Sequence, residues 1–585
     1  MSAIPAGQVA PLVAGWAGNP PPATEVRRDL VVLKFGGSVL NDKDDIPEVV
    51  TDIYRVVREG ARVLAVVSAC EGVTDTLLAE AWRYGCGHDN LHLPRYVALG
   101  EESSAALLAL ACDRAGLSAV CLAVAELGLV ARGPRENAEP VRLDPAAIER
   151  AFGRHDVVVV PGYGAVDAEG RVVLLGRGGS DLSAVFLAAE LGAARVRLVK
   201  DVDGVYDRDP NTAAEALRYG SIEWEHARDV AGALIQTRAL DCARARGLPV
   251  EVGALGRQDA TLVGRAGAPP ARRPRPPKLK VALAGCGVVG GGVLERLRRR
   301  SLEFDVVSVL VRDAGRPRGA PAHAAPAPLV TDEAEFLAAE ADVVVDVLSS
   351  AEAGARLSRQ ALERGRHVVS ANKQAVVAAF GELIGAARDG GARLLYSAAV
   401  GGGAPLIETV RLARSAGEPV VLEGVLNGTV NFMLERLATG DELDAALRAA
   451  RDAGLAEEDP TADLAGLDAA AKLQILALEA FGARLTVADV EREILDERIA
   501  AQARRRPLKQ IARAERDADG RVRASVRFVR SASFTGVETD RNALRVTNGD
   551  GRTWLARGRG AGRWPTTESV FADLVDLRAH IASPP

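Results

Sequence analysis

Short β-branched runs alternate with Ala/Leu-rich segments along most of the chain. The runs at 31–33, 62–67 and 195–199 lie in the first half, and those at 280–284, 306–311, 343–348 and 367–369 in the second. Helical segments fall between them, including 182–191 and one ending at Arg299. This rhythm predicts two α/β units built on parallel sheets. The break between the units is 266–278, AGAPPARRPRPPK: its prolines forbid regular helix and its arginines keep it solvated, as in a semi-rigid spacer. Residues 1–28, rich in Ala, Gly and Pro, read as a flexible leader. The expected division is therefore a leader at 1–28, a first unit at 29–264, a linker at 265–278, a nucleotide-binding unit at 279–404 and a further α+β unit at 405–580. No internal repeat is evident.

The size and composition fit this plan. The 585 residues allow about four domain-sized units at ~150 residues each. Hydrophobic residues at 48% and charged residues at 26% exclude a disordered or disulfide-stapled chain. A net charge of −5 gives no reason to invoke nucleic acid or a membrane. The six cysteines lack CxxC spacing and read as reduced, buried thiols of a cytoplasmic protein.

In the first unit, several strand ends carry phosphate-type chemistry. Lys34-Phe35-Gly36-Gly37-Ser38 pairs a lysine with glycines that let backbone N–H groups approach an anion. It contains no GxxxxGK[ST], so it is not a P-loop. Downstream come Ser68 to Thr74, then Gly100-Glu101 opening onto a helical pattern from Ser104, then Leu175-Gly176-Arg177-Gly178-Gly179-Ser180-Asp181. Last comes Lys200-Asp201-Val202-Asp203-Gly204-Val205-Tyr206. Gly178 to Ser180 would sit at a helix N-terminus, a natural anion site, and Arg177 suits a carboxylate. Clusters that each follow a strand should gather at the carboxyl edge of one sheet.

In the second unit, Gly285-Cys286-Gly287-Val288-Val289-Gly290 is GxGxxG between a strand and a helix, the dinucleotide fingerprint. The next strand ends in Arg312, which suits a 2′-phosphate with help from Arg316 or Arg318; Asp313 beside it leaves NAD open. Further strands end at Ser349-Ser350 and at Ser370-Ala371-Asn372-Lys373. Asp468 and Lys472, four apart on a helix, share a face. They form either an exposed ion pair or a lysine held for a carbonyl substrate, where an ammonium stabilises a developing oxyanion.

KFGGS, VSACEGVT, GE, LGRGGSD and DVDGVYDRDP resemble the amino-acid kinase family, specifically aspartate kinases, across residues 30–255. The resemblance implies an α/β/α sandwich in which Lys34, Gly37 and Ser38 hold the phosphates of ATP with Mg. It further implies that Thr74, Glu101, Arg177 and Ser180 hold aspartate, and that Lys200, Asp201, Tyr206 and Asn211 contact the nucleotide. Val39, Val173 and Leu174 depart from the family pattern. At 231–237 the chain also lacks a lysine that the family directs at the phosphates.

From 279 to the closing GAGRWPTTESVFADL, with Asn427-Gly428-Thr429-Val430-Asn431 and the glycines after Val400, the chain resembles homoserine dehydrogenase. This implies a Rossmann domain, an α+β catalytic and dimerisation domain, and NAD(P)-dependent interconversion of aspartate 4-semialdehyde and homoserine. Lys472 would donate the proton, with Lys373 at the cofactor and carbonyl. Glu457 would hold the substrate ammonium, with Asp463 and Asp468 also at the substrate. Gly285, Gly287, Val288, Val289, Gly290, Arg312, Ser349, Ser370 and Lys373 would bind the nucleotide, leaning to NADP. Main-chain oxygens of Ser397, Val400, Gly402 and Ala404 would hold a sodium-like ion.

The whole resembles the bifunctional aspartate kinase/homoserine dehydrogenase family of amino-acid biosynthesis, acting as a homodimer or larger homo-oligomer. Such enzymes carry paired ACT regulatory domains between the halves. Here only the linker separates them and nothing ACT-sized follows the closing motif, so weak or absent feedback by threonine or lysine is expected. Two alternatives stay open: a kinase half kept as a degenerate scaffold, or one acting on a different small acid.

Overall fold

The computed structural model describes residues 24–85, 90–213, 215–232, 234–272, 277–316, 328–456, 458–530, 534, 536–537 and 541–582. Three α/β bodies follow one another along the chain. The first is built on an eight-stranded sheet whose central neighbours are Arg195–Lys200, Leu30–Phe35, Arg62–Val67 and Val157–Pro161, all parallel. Leu30–Phe35 is buried along its whole length because helices cover both faces, so it reads as an unbroken apolar run interrupted by Lys34. The carboxyl ends of these strands meet at one edge. A smaller four-stranded sheet holds Gly164–Val166 and Val172–Leu174. The Gly176–Ser180 turn therefore follows a strand of this side sheet, not of the central one.

The second body is a six-stranded, all-parallel sheet. Its order is Leu329–Val330, Phe304–Leu310, Leu279–Ala284, Val343–Asp346, His367–Ser370, Leu394–Leu395. Chain order reverses between Leu279–Ala284 and Val343–Asp346, which opens the crevice where dinucleotides bind in such sheets. The third body is a largely antiparallel sheet centred on Pro419–Val425, covered by the helices Leu406–Ala416 and Leu467–Phe481.

Differences from the sequence reading have local causes. The helix Leu93–Arg114 begins well before Gly100, so Gly100-Glu101 lies mid-helix instead of opening it. Pro94 starts that helix without needing a cap donor. The stretch read as a leader ends in Thr24–Glu25, paired in parallel with Arg552–Thr553 at the edge of the third sheet, where it satisfies edge donors and acceptors. In the linker, Ala268 N–H donates to Ser221 O and Ala271 exchanges bonds with Arg218, so its first part lies on the kinase-like body. Residues 273–276 of that linker fall outside the described residues.

The C-terminal helix Arg563–Ala582 ties the bodies together. Its apolar side packs on the helix Val288–Arg299 and the strand Phe304–Leu310, with Phe571 against Phe304. Its polar side meets the helix Ile46–Arg58 of the first body. Arg58 donates to Asp573 at 2.5 Å and to Glu408 at 2.6 Å, Arg55 to Asp576 at 2.9 Å, and Arg296 to Glu568 at 2.7 Å. Burial pushes the Asp573 carboxyl up to about 6, against the pull of Arg58. Among the described residues no helix is long and apolar enough to cross a membrane.

Candidate active sites

In the first body, parallel pairing sets Lys34 beside Leu198, two residues short of Lys200. Both lysines therefore reach the same sheet edge. Between them stands Asp181, in the first turn of Gly179–Glu190, with Lys34 Nζ at 2.7 Å and Lys200 Nζ at 2.9 Å from its two oxygens. All three side chains are buried. Burial alone would raise the Asp181 carboxyl, but Lys34 and then Lys200 outweigh it and hold it below its usual value. Lys200 is lowered, chiefly by burial, with Asp181 opposing. The turn before the helix needs glycine: Gly178 has φ +76°, and a Cβ there would stand 2.1 Å from Gln236. At Gly36 a Cβ would sit 2.6 Å from Lys34 Nζ, so a side chain there would push that ammonium aside.

Glu101 is the second feature of this edge. It projects from mid-helix and accepts bonds from the Tyr163 N–H and, at 3.0 Å, from Ser180 Oγ. Burial raises its carboxyl to about 7 despite those donors. Thr74 lies on the neighbouring helix Val73–Arg83, whose Val73 side chain would touch a Cβ on Gly100 at 3.2 Å. Gly37 is partly covered. Ser38, Arg177, Asp201 and Asn211 are exposed. Tyr206 donates to Asp203 at 2.5 Å, within a cluster that also holds Arg218 and Arg257, not to Lys200. Asp181, which the sequence reading quoted without a role, is thus the residue that joins the two lysines. The signal was available: it directly follows Ser180 in GRGGSD.

In the second body, Gly285 has φ +102° and follows the strand Leu279–Ala284 directly. A Cβ on Gly290 would lie 2.2 Å from Gly285 O, so the turn closes only with glycine. Gly287 caps the helix Val288–Arg299 and has open space where its Cβ would be. The exposed helix start, with Val288 and Val289 in its first turn, fits a pyrophosphate. Across the crevice Arg312 donates to Ser349 Oγ at 3.4 Å, and both are exposed. Ser370 donates to the buried Asp346 at 3.1 Å and accepts from Asn372 N–H. Burial raises Asp346 to about 6. Ser370 thus buttresses the loop before Lys373. Arg318 lies outside the described residues.

Lys373, the first residue of Lys373–Asp389, crosses to the third body and donates to Asp468. Asp468 and Lys472 sit four apart on Leu467–Phe481, a helix bounded by Gly466 and Gly482, both left-handed. Lys472 Nζ lies 3.0 Å from Asp468 and donates to Leu426 O at 2.7 Å. Asn427 donates to Asp468 at 3.1 Å and to Asp463 at 2.7 Å, collecting both acids. Burial would raise Asp468, yet Lys472 and Lys373 drive it down to about 2. Asp463 moves the other way, raised by burial and then by Asp468. Asn427 received no role from sequence, although it stands in the quoted NGTVN stretch. Glu457 lies outside the described residues.

Ser397–Gly401 forms a short buried helix that ends at Gly402, φ +59°, where a Cβ would stand 2.4 Å from Gly560 O. The carbonyls of Val400 and Gly402 take no hydrogen bond among the described residues, which suits them to a monovalent cation. The Ala404 carbonyl already accepts from Leu406 N–H at 2.8 Å, and Ser397 Oγ donates to Glu408. Among the described residues no group of three His, Cys, Asp or Glu could hold a metal.

Comparison with known proteins matches each of these parts of the chain to a family. The amino acid kinase family matches residues 29–253, the homoserine dehydrogenase NAD-binding domain 285–397, and the homoserine dehydrogenase catalytic domain 405–575. The chain is 34% identical over 202 residues to an aspartokinase of Helicobacter pylori, covering 34% of this chain and 50% of the relative. It thus spans half the length of that relative. It is 35% identical over 313 residues to a homoserine dehydrogenase of Mycobacterium leprae, covering 50% of this chain and 71% of the relative. A solved homoserine dehydrogenase from Thiobacillus denitrificans is 32% identical, with a TM-score of 0.46, covering 53% of this chain and 75% of that one. The chain carries an aspartokinase-like amino acid kinase domain ahead of its dehydrogenase domains, and it belongs to the homoserine dehydrogenase family.

Proposed function

We propose that the chain catalyses two reactions of aspartate metabolism: nicotinamide-dependent interconversion of aspartate 4-semialdehyde and homoserine, and ATP-dependent phosphorylation of aspartate. The observation that carries the first is Asp468 clamped between Lys373 and Lys472, where the helix of the third body meets the Rossmann crevice. The nicotinamide, when bound, supplies the hydride. Lys472 holds a proton at the aldehyde oxygen and neutralises the charge that builds there, while Asp468 and Leu426 O fix its direction. Lys373 adds a second positive charge beside the same carbonyl, and Asn427 holds Asp463 toward the substrate amine. Arg312 beside Ser349 supports a preference for NADP through a 2′-phosphate. The open Val400 and Gly402 carbonyls support a bound sodium-like ion.

For the second reaction, Lys34 and Lys200 cradle the transferring phosphate and Asp181 keeps both in place. Glu101 and Arg177 would take the ammonium and a carboxylate of aspartate, with magnesium carried on the ATP phosphates. Purified chain should reduce aspartate 4-semialdehyde with NADPH. It should also form aspartyl hydroxamate from ATP, aspartate and hydroxylamine. Loss of the second activity alone would leave a dehydrogenase with a scaffold domain.

A further inference from the structure

A cavity of about 490 Å³ lies between the kinase-like body and the outer long strand of the third sheet, away from both candidate sites. Its kinase-side wall is made where Arg62–Val67 and Val157–Pro161 begin. The phosphate-type residues sit at the opposite, carboxyl ends of those strands, a separation of ~20 Å for six residues. Five arginines line the cavity: Arg27, Arg28, Arg62 and Arg154 from one side, and Arg557 from the other.

Their pairing is uneven. Arg28 is fully used, bonding Asp156 and the carbonyls of Gly60 and Ala61 at 2.9 and 2.7 Å. Among the described residues the other four guanidinium groups make no hydrogen bond or ion pair, and the Nε atoms of Arg62 and Arg557 are buried without a partner. Arg62 is stacked 4.9 Å over the Phe152 ring, which fixes its plane and leaves its N–H edge to the cavity. Glu25 and Glu149 share the lining without closing an ion pair, so four unpaired cations face two acids. Burial first, then Arg28 and Arg27, lower the Arg62 guanidinium from its usual value, with Asp156 and Glu149 opposing. Residues 1–23 contain no Asp or Glu.

We propose that this cavity binds a small multiply charged oxyanion, a phosphate ester or a dicarboxylate, held by Arg62 and Arg154 from the kinase-like body and Arg557 from the dehydrogenase. Planar guanidinium forks match both anion types, and a cavity of this volume accommodates a metabolite. Such a ligand would bridge the two enzymes of the chain, and the proposal rests on neither activity.

The test is calorimetric titration of the full chain, with the nucleotide sites filled by a non-hydrolysable ATP analogue and NADPH. Pyrophosphate is the probe in one arm and succinate in the other. One probe should bind, and the arm that does names the source. Arg62→Gln/Arg557→Gln should weaken that binding about tenfold or more, as loss of charge-assisted contacts requires. Arg154→Gln, an exposed change that leaves the fold intact, should weaken it to a lesser degree. Binding that is equal in all three proteins, or absent in both arms at millimolar probe, overturns the proposal.

Discussion

The two candidate active sites solve one electrostatic problem on different scaffolds. Each clamps a single aspartate between two lysines, a local net charge of +1 beside the place where the proposed reactions would develop anionic charge. In the kinase-like body the lysines come from adjacent parallel strands and the acid from a helix start, and the three side chains are 8, 3 and 10% exposed. In the dehydrogenase the acid and one lysine share a helix and the other lysine arrives from the Rossmann body, and Lys373 remains 28% exposed. The first clamp is sealed within one body; the second spans two. A sealed charged triad is bound up with folding, because removing one member leaves an uncompensated buried charge. A clamp across a crevice can lose its acid at smaller structural expense and still lose its chemistry.

The sharpest way to break this comparison is to remove each acid. Asp181→Asn should destabilise the chain by about 3–5 kcal/mol, read by denaturant unfolding. Asp468→Asn should cost less stability but lower aldehyde reduction about 100-fold, since Lys472 and Lys373 lose their anchor. Equal unfolding losses in the two variants would erase the distinction.

The sites should also respond to pH with opposite sign. Glu101, raised from 4.5 to about 7, binds a proton more tightly folded than unfolded, so its contribution to stability falls as pH rises between those values. Asp468, lowered from 3.8 to about 2, contributes fully above 3.8 and is lost as pH drops toward 2. Unfolding curves of Glu101→Gln and Asp468→Asn should each flatten only their own window. In the proposed kinase reaction the substrate ammonium would need an ionised Glu101, so the KM for aspartate should fall several-fold from pH 6 to 8, and Glu101→Gln should abolish that trend. The smallest effect concerns the cofactor. Arg312→Ser should raise KM for NADPH about tenfold and leave that for NADH nearly unchanged.

Much of this architecture was legible in sequence. The alternation of β-branched runs and helices marks the parallel strands of both sheets, though not the antiparallel pair Val250–Ala254 and Thr261–Gly264 at the side of the first, and GxGxxG falls on the crevice where strand order reverses. Asp468 and Lys472 share a face because helical spacing dictates it. What sequence could not supply were partners from distant segments. Asp181 meets Lys34 and Lys200 only through sheet register, and Asn427 reaches Asp463 and Asp468 only once a strand and a helix pack. Nor did periodicity foresee that Arg58 would bury itself against Asp573 and Glu408, residues more than 300 positions away, which makes the kinase-like body part of the dehydrogenase's own support.

The most direct test is a crossover of single lysine variants in the purified full chain, assaying both reactions on each. Lys472→Ala should lower aldehyde reduction by about three orders of magnitude and leave hydroxamate formation intact, while Lys34→Ala should do the reverse. Undiminished reduction by Lys472→Ala, or undiminished phosphorylation by Lys34→Ala, would contradict the assignment of a separate lysine–aspartate–lysine clamp to each reaction.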